Sequence, residues 1–298
     1  MIFSYDWLAL GAAACWASSS ILSVSPARHL GAFAFTRWRM FLVALILWGI
    51  ALLSGTWQSV PLSSWAMMSL SGLVGIFIGD TALFAAMNRL GPRRTGVLFA
   101  THAVFGALLG VWVLGERMNL QAALGGALTV AGVMTAVLLG KRKEDDHAWE
   151  ADRGHVGLGV ALALVAAACQ ALGSFIAKPL MTADVDPMTA SAVRVTAGSL
   201  AHWVVLWLGF AVAKPHRPAN LRVLAQPALN GFLGMGVGMS LVLLALKNGD
   251  VSMVAILSSV SPVLVLPLLW LYLRRPPAPG AWLGAGMTVL GTALILLR

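Results

Sequence analysis

Leu8-Ala-Leu-Gly-Ala-Ala-Ala-Cys-Trp-Ala17 returns in the second half of the chain as Leu162-Ala-Leu-Val-Ala-Ala-Ala-Cys-Gln-Ala171. The strings differ only where Gly11 meets Val165 and Trp16 meets Gln170, and the chain's 2 cysteines, Cys15 and Cys169, fall on one another. The match continues outward. Leu70-Ser71-Gly72, Gly75 and Gly79 correspond to Leu229-Asn230-Gly231, Gly234 and Gly238; later, Leu124-Gly125, Thr129-Val130 and Gly132 correspond to Leu283-Gly284, Thr288-Val289 and Gly291. The chain is a duplication of one unit.

The unit is built for lipid. Of 298 residues 59% are hydrophobic and only 10% charged, far too few polar groups to cover a water-soluble core of this length. A helix needs about 20 apolar residues to cross the hydrocarbon layer. Read between charges, the first span falls in Trp7–Ala27. The run Met40–Gly79 holds two more, broken at Ser54-Gly55-Thr56 and Pro61-Leu62-Ser63-Ser64, with Asp80 inside the third. Spans follow at Thr95–Leu114, Leu120–Leu139, Val156–Ala177, Thr189–Ala213, Leu224–Leu246, Val251–Leu273 and Gly280–Leu297. Runs this continuous exclude a barrel, which would alternate, and open strands cannot satisfy their edges in lipid. The expected fold is an all-α integral membrane protein with ten transmembrane helices in two inverted five-helix repeats. The first repeat is residues 1–140, a charged cytoplasmic linker 141–155, and the second repeat 156–298.

The inversion follows from the odd number. A second copy after five spans enters from the opposite side, the layout of secondary transporters that hold substrate between the repeats near the bilayer midplane. Orientation follows from Lys and Arg. One side carries 15: Arg28, Arg37, Arg39, Arg89, Arg93, Arg94, Lys141, Arg142, Lys143, Arg153, Lys214, Arg217, Arg222, Arg274 and Arg275. The side with both termini carries 4: Arg117, Lys178, Lys247 and Arg298. The basic side is cytoplasmic, which places both termini in the periplasm of a bacterial inner membrane. The formal charge of +9 therefore sets topology, and no nucleic-acid partner is expected. Ala12-Ala13-Ala14-Cys15 resembles a lipoprotein cleavage site, but no Lys or Arg precedes Arg28 and the string recurs at 166–169. It reads as helix, not signal.

Gly115-Glu116 closing the fourth span, Leu-Gly near the start of the fifth and tenth, and Ser261-Pro262 in the ninth are similar to EamA-type members of the drug/metabolite transporter superfamily. Two departures stand out. Arg274-Arg275 replaces Glu116-Arg117 in the second copy, and Val104, taken as the partner of Pro262, is not proline. The resemblance covers nearly the whole chain. It implies export of small metabolites, amino acids and aromatic amino acid exporters of the YddG type among them, by a monomer surrounded by membrane lipid.

Ionisable groups within a span are costly and mark function by default. Asp80 is the carboxylate well inside a span, about 12 Å from its cytoplasmic end at 1.5 Å per residue. His102 lies at about 10 Å from the same side by the same rise, so the two are expected at one level, as a proton site or a pair of substrate ligands. The plainer alternative is an ion pair of Asp80 with Arg37, Arg39 or Arg89. Trp16 and Gln170, equivalent and central, are expected to line one cavity. Phe99 shares the fourth span with His102, and Ser258 and Ser261 share a face of the ninth, beside a helix break expected at Pro262. Back-bonding to their own helix is the plainer reading for the serines. Arg37 and Arg194 align between the copies and read as snorkelling anchors, His202 as a packing histidine. No cofactor is expected, for Gly231–Gly238 follows no strand and no Walker lysine motif exists. No metal-ligand or hydrolase motif such as His-Glu-x-x-His occurs either, which argues against an intramembrane enzyme. A multidrug exporter of the same fold, or a lipid-linked flippase, is the competing reading.

Overall fold

The computed structural model describes residues 5–139, 155–181, 185–218, 220–273 and 278–297. The charged linker falls almost wholly outside them. Among the described residues every long element is a helix, and eight are long and apolar enough to cross a membrane. These are α2 (Ala32–Ser54), α3 (Leu62–Gly91), α4 (Arg94–Val113), α5 (Leu120–Leu138), α6 (Val156–Met181), α8 (Val223–Asn248), α9 (Val251–Leu268) and α10 (Pro279–Leu296). Two more long helices, α1 (Tyr5–Leu30) and α7 (Pro187–Trp207), pack among them.

Polar residues are made tolerable locally. Along α1 the hydroxyls of Ser18, Ser19, Ser20 and Ser23 donate to carbonyls three or four residues back, so these four donors are met within the helix. α7 turns Thr189, Ser191, Arg194, Ser199 and His202 inward. Asn119, Asp186 and Asn220 accept the first free N–H groups of α5, α7 and α8, which helix starts require.

Two backbone irregularities recur at matching places. α3 widens into a π-helical stretch at Leu73–Asp80 and α8 at Phe232–Gly238; Leu73 and Phe232 each follow an aligned Gly72 and Gly231. α4 breaks at Thr101, where Thr101 N–H donates to Leu98 O, and Val104 and Phe105 N–H both donate to Thr101 O. Raise each number by 159 and the same three bonds reappear in α9: Val260 to Leu257, Val263 and Leu264 to Val260. The break thus precedes Pro262, which sits in the first turn of the new segment Ser261–Leu273, where its missing N–H costs nothing. Proline does not make the break, because the matching one at Thr101 forms without it. The register also pairs Val104 with Val263, correcting the alignment with Pro262.

Equivalent helices meet antiparallel. In the α5/α10 pair Gly125 lies against Gly291 and Gly132 against Gly284, so closely that a Cβ on any of them would strike backbone. Each contact is the image of the other under the same shift of 159, the signature of a two-fold related interface. Between α4 and α9, Gly106 meets Ala255 and Gly110 meets Ser252.

Candidate functional site

The two-fold correspondence extends to the centre of the bundle. Gly79 of α3 lies against Cys169 of α6, and Gly238 of α8 against Cys15 of α1. Ser71 Oγ donates to Gly173 O at 2.6 Å, and its counterpart Asn230 Nδ2 donates to Ser19 O. An arginine is held in each half. Arg194 runs along Gly72 and Gly75 with Gly173 beside its guanidinium; Arg39 runs along Gly231 and Gly234 with Ser19 alongside. Arg39, not Arg37, is therefore the counterpart of Arg194. Neither behaves as a snorkelling anchor: Arg194 is 1% exposed and Arg39 4%. Arg37 is buried too, its guanidinium donating to Ala213 O and standing over the Trp203 ring. Pairing Arg37 with Arg194 needs a shift of 157, whereas Trp16 and Gln170 align at 154 and Arg39 and Arg194 at 155; likeness of residue type alone does not choose between the two arginines.

Asp80 is 5% exposed and accepts a hydrogen bond from Arg39 at 2.6 Å. Its expected pairing with His102 is not formed. The reason is rotation about the helix axes: Asp80 turns toward α2, whereas His102 turns toward α1. There His102, itself 2% exposed, meets Trp16 edge-on at 6.4 Å between centroids and Phe99 at 5.1 Å. Trp16 Nε1 donates to Gly234 O at 2.9 Å, in the widened part of α8. Gly234 is also the residue against which the Arg39 guanidinium lies, so aromatic cluster and ion pair adjoin through one glycine.

The remaining expected residues fall into register with these. α4 and α9 run antiparallel with Gly96 facing Pro262 and Gly106 facing Ala255, which sets Phe99 and His102 level with Ser258 and Ser261. Under the shift of 159, Phe99 is the counterpart of Ser258 and His102 of Ser261. Ser258 Oγ donates to Ala255 O within its own helix, the plainer of the two readings. Gln170, the counterpart of Trp16, is buried on α6. His202 is satisfied by Thr81 Oγ1 and Gly198 O and packs against Phe33 and Phe77, a packing histidine. Sequence reasoning missed Arg39 as a site residue. A buried carboxylate requires a partner, and that signal pointed to three arginines without choosing. Among the described residues no three His, Cys, Asp or Glu side chains gather as metal ligands.

The sequence profile of the EamA-like transporter family matches residues 3–138 and again 157–297. The chain belongs to the EamA-like transporter family. A protein of Archaeoglobus fulgidus described as an uncharacterized transporter is 23% identical over 292 residues, 97% of each chain. A solved crystal structure superposes with a TM-score of 0.78 at 18% identity, covering 98% of this chain and 96% of the other, a likeness of fold. This EamA-family protein is thus a multi-pass membrane transporter.

Proposed function

We propose that this transporter is a secondary exporter of small amphipathic metabolites, amino acids foremost and aromatic ones among them, working by alternating access between two inverted five-helix repeats. The observation that carries the reading is the residue-by-residue exchange of contacts between the halves. Equivalent helices α4/α9 and α5/α10 lie antiparallel, and hydrogen bonds, glycine contacts and helix irregularities of α3–α5 are repeated in α8–α10 under one shift. A scaffold of this kind offers two related packings of the same parts, which is what alternating access needs. All ten helices then cross the membrane, α1 and α7 with their polar side chains bonded or turned inward.

The site residues support an amphipathic ligand. At four matched positions the first copy carries the bulky or charged group and the second a smaller or neutral one: Trp16 and Gln170, Phe99 and Ser258, His102 and Ser261, Asp80 and Met239. An aromatic wall stands opposite short polar side chains, and charged groups adjoin it. Asp80 is the residue we assign to coupling, because its ion pair joins α3 to α2.

The test is uptake of the common amino acids by liposomes holding the purified protein, with and without a pH gradient. At least one aromatic amino acid is expected to move, and Asp80→Asn, with an unchanged elution profile and melting temperature, should lose most of that flux. Movement of lipophilic cations with no amino acid flux would replace this reading with the multidrug one.

A further inference from the structure

Among the described residues Arg194 is the side chain with the most buried nitrogens lacking a hydrogen-bond partner. It is 1% exposed, and its Nε and both terminal nitrogens have no hydrogen-bond partner. A guanidinium stays protonated in proteins and offers five N–H donors. A buried charge without partner is strongly unfavourable, so a fold that retains one implies a ligand that answers it. Gly75 and Gly173 lie against the Arg194 guanidinium and Gly72 against its backbone. Its counterpart Arg39 has an answer, Asp80. Asp80 lies on α3, one of the helices that cradle Arg194, and is near enough for the two charges to act on each other, yet its hydrogen bond goes to Arg39. At the position matching Asp80 in the second copy stands Met239, apolar and 1% exposed. Two guanidiniums share one carboxylate, and the cluster lacks one negative charge.

We propose that the Arg39–Asp80–Arg194 cluster is a receptor for the carboxylate of the transported molecule, with Arg194 as the group that takes it. This rests on the transport reading above and names the part of the substrate that the site recognises. A carboxylate matches a guanidinium fork in bidentate geometry and brings the charge that Met239 does not. The rest of the molecule is accounted for by placement. Gly234 touches both the Arg39 guanidinium and, through its carbonyl, the Trp16 indole. A ligand held by its carboxylate between the arginines therefore reaches Trp16, His102 and Phe99 with its apolar end. When the halves part, the ligand carboxylate occupies the place on Arg194 that Asp80 leaves empty.

The test uses three probes of one ring and different charge: indole-3-propionate, tryptophan and tryptamine. Melting temperature of the detergent-purified protein is measured against probe concentration, since a ligand that binds only the folded state stabilises it in proportion to occupancy. The two acids should raise the melting temperature at concentrations at least tenfold below tryptamine. Arg194→Gln should erase that preference. Because Arg194→Gln also changes a buried position, Met239→Asp is the second variant. It supplies the second arginine with the internal carboxylate that the first already has, so it should fold at least as well as the parent and lose the acid preference. An equal response to acid and amine in the parent, or an acid preference that survives Met239→Asp, overturns the inference. A carboxylate-specific shift in a protein that shows no liposome flux sustains this site and defeats the transport assignment, so the two failures are told apart.

Discussion

Glu116 makes a joint between α4 and α9 whose strength can be worked out. α4 ends at Val113, Gly115 takes the left-handed φ of 68°, and Glu116 N–H returns to Gly110 O. Only glycine adopts that φ without strain, and the turn aims the Glu116 carboxylate at the start of α9. There Oε1 accepts from Val251 N–H at 2.6 Å, and Oε2 from Ser252 N–H at 3.0 Å and Ser252 Oγ at 2.7 Å. Glu116→Ala leaves two first-turn N–H groups and a hydroxyl without that acceptor and removes a negative charge from a helix N-terminus. With roughly 1 kcal/mol for each bond after exchange with water, the loss is about 3 kcal/mol, and Glu116→Gln, which keeps one acceptor oxygen, loses about 1–2 kcal/mol. At roughly 2–4 °C per kcal/mol for a chain of this size, the alanine variant should melt about 6–12 °C lower. The assay is thermal unfolding of detergent-purified protein followed by tryptophan fluorescence. Gly110→Ala provides an independent route, because a Cβ there would collide with Glu116 Oε2 and should reproduce most of the loss. A drop of about 1 °C or less for Glu116→Ala, or equal melting of the Gln and Ala variants, would refute the reasoning.

Gly132→Leu and Gly291→Leu should each destabilise by at least about 1–3 kcal/mol, and by similar amounts, since each glycine faces the matching threonine and glycine backbone of the partner helix; denaturant unfolding in detergent would read both, and near-neutral behaviour of either breaks the two-fold argument at α5/α10. A reporter fused after Arg298 should be active only as a periplasmic reporter, and one within 141–153 only as a cytoplasmic one. Cytoplasmic activity at the C-terminus reverses the orientation derived from the Lys and Arg distribution.

The duplication was legible because glycine and alanine are exacting residues. A helix that must approach another at backbone distance tolerates nothing larger, so Gly72, Gly75 and Gly79 kept their counterparts Gly231, Gly234 and Gly238 while the surrounding aliphatic residues drifted. Helix positions were legible from apolar runs for the same reason that lipid demands them. The site was legible only in part. Trp16, Phe99 and His102 do come together, yet nothing in the chain's linear order says that His102 faces α1 and Asp80 faces α2. Depth along a helix can be counted from sequence, whereas rotation about its axis is set by packing against helices distant in the chain. Arg39 is one of three arginines named as able to pair with Asp80, and nothing in the sequence chooses it over Arg37 or Arg89. Its role emerged from contacts with Gly231 and Gly234, in the other half.

A duplicated scaffold with identical halves would have two opposite states of equal energy, because the two-fold operation turns one into the other. Inequality has to come from residues that differ between matched positions, and the structure identifies one at a joint. Glu116 fastens the end of α4 to the start of α9. The matching joint would run from the end of α9 to the start of α4, and there the sequence has Arg274-Arg275. A guanidinium has donors and no acceptor, so it cannot receive N–H groups from the start of a helix, and the positive end of the helix dipole repels it. Under the alternating-access reading, Glu116 fastens one end of the α4/α9 pair, and its sequence counterpart Arg275 supplies no acceptor for the other. The packing seen here, with the Glu116 joint closed, is then favoured over its two-fold image by about the 3 kcal/mol worked out for that joint, more than a hundredfold in population. On that reading substrate supplies the difference, and the carboxylate proposed for Arg194 would be a source of it. Weakening the joint by Glu116→Gln should accordingly lower the melting temperature and at the same time reduce the dependence of the transition on substrate, two changes that a merely structural loss would not bring together.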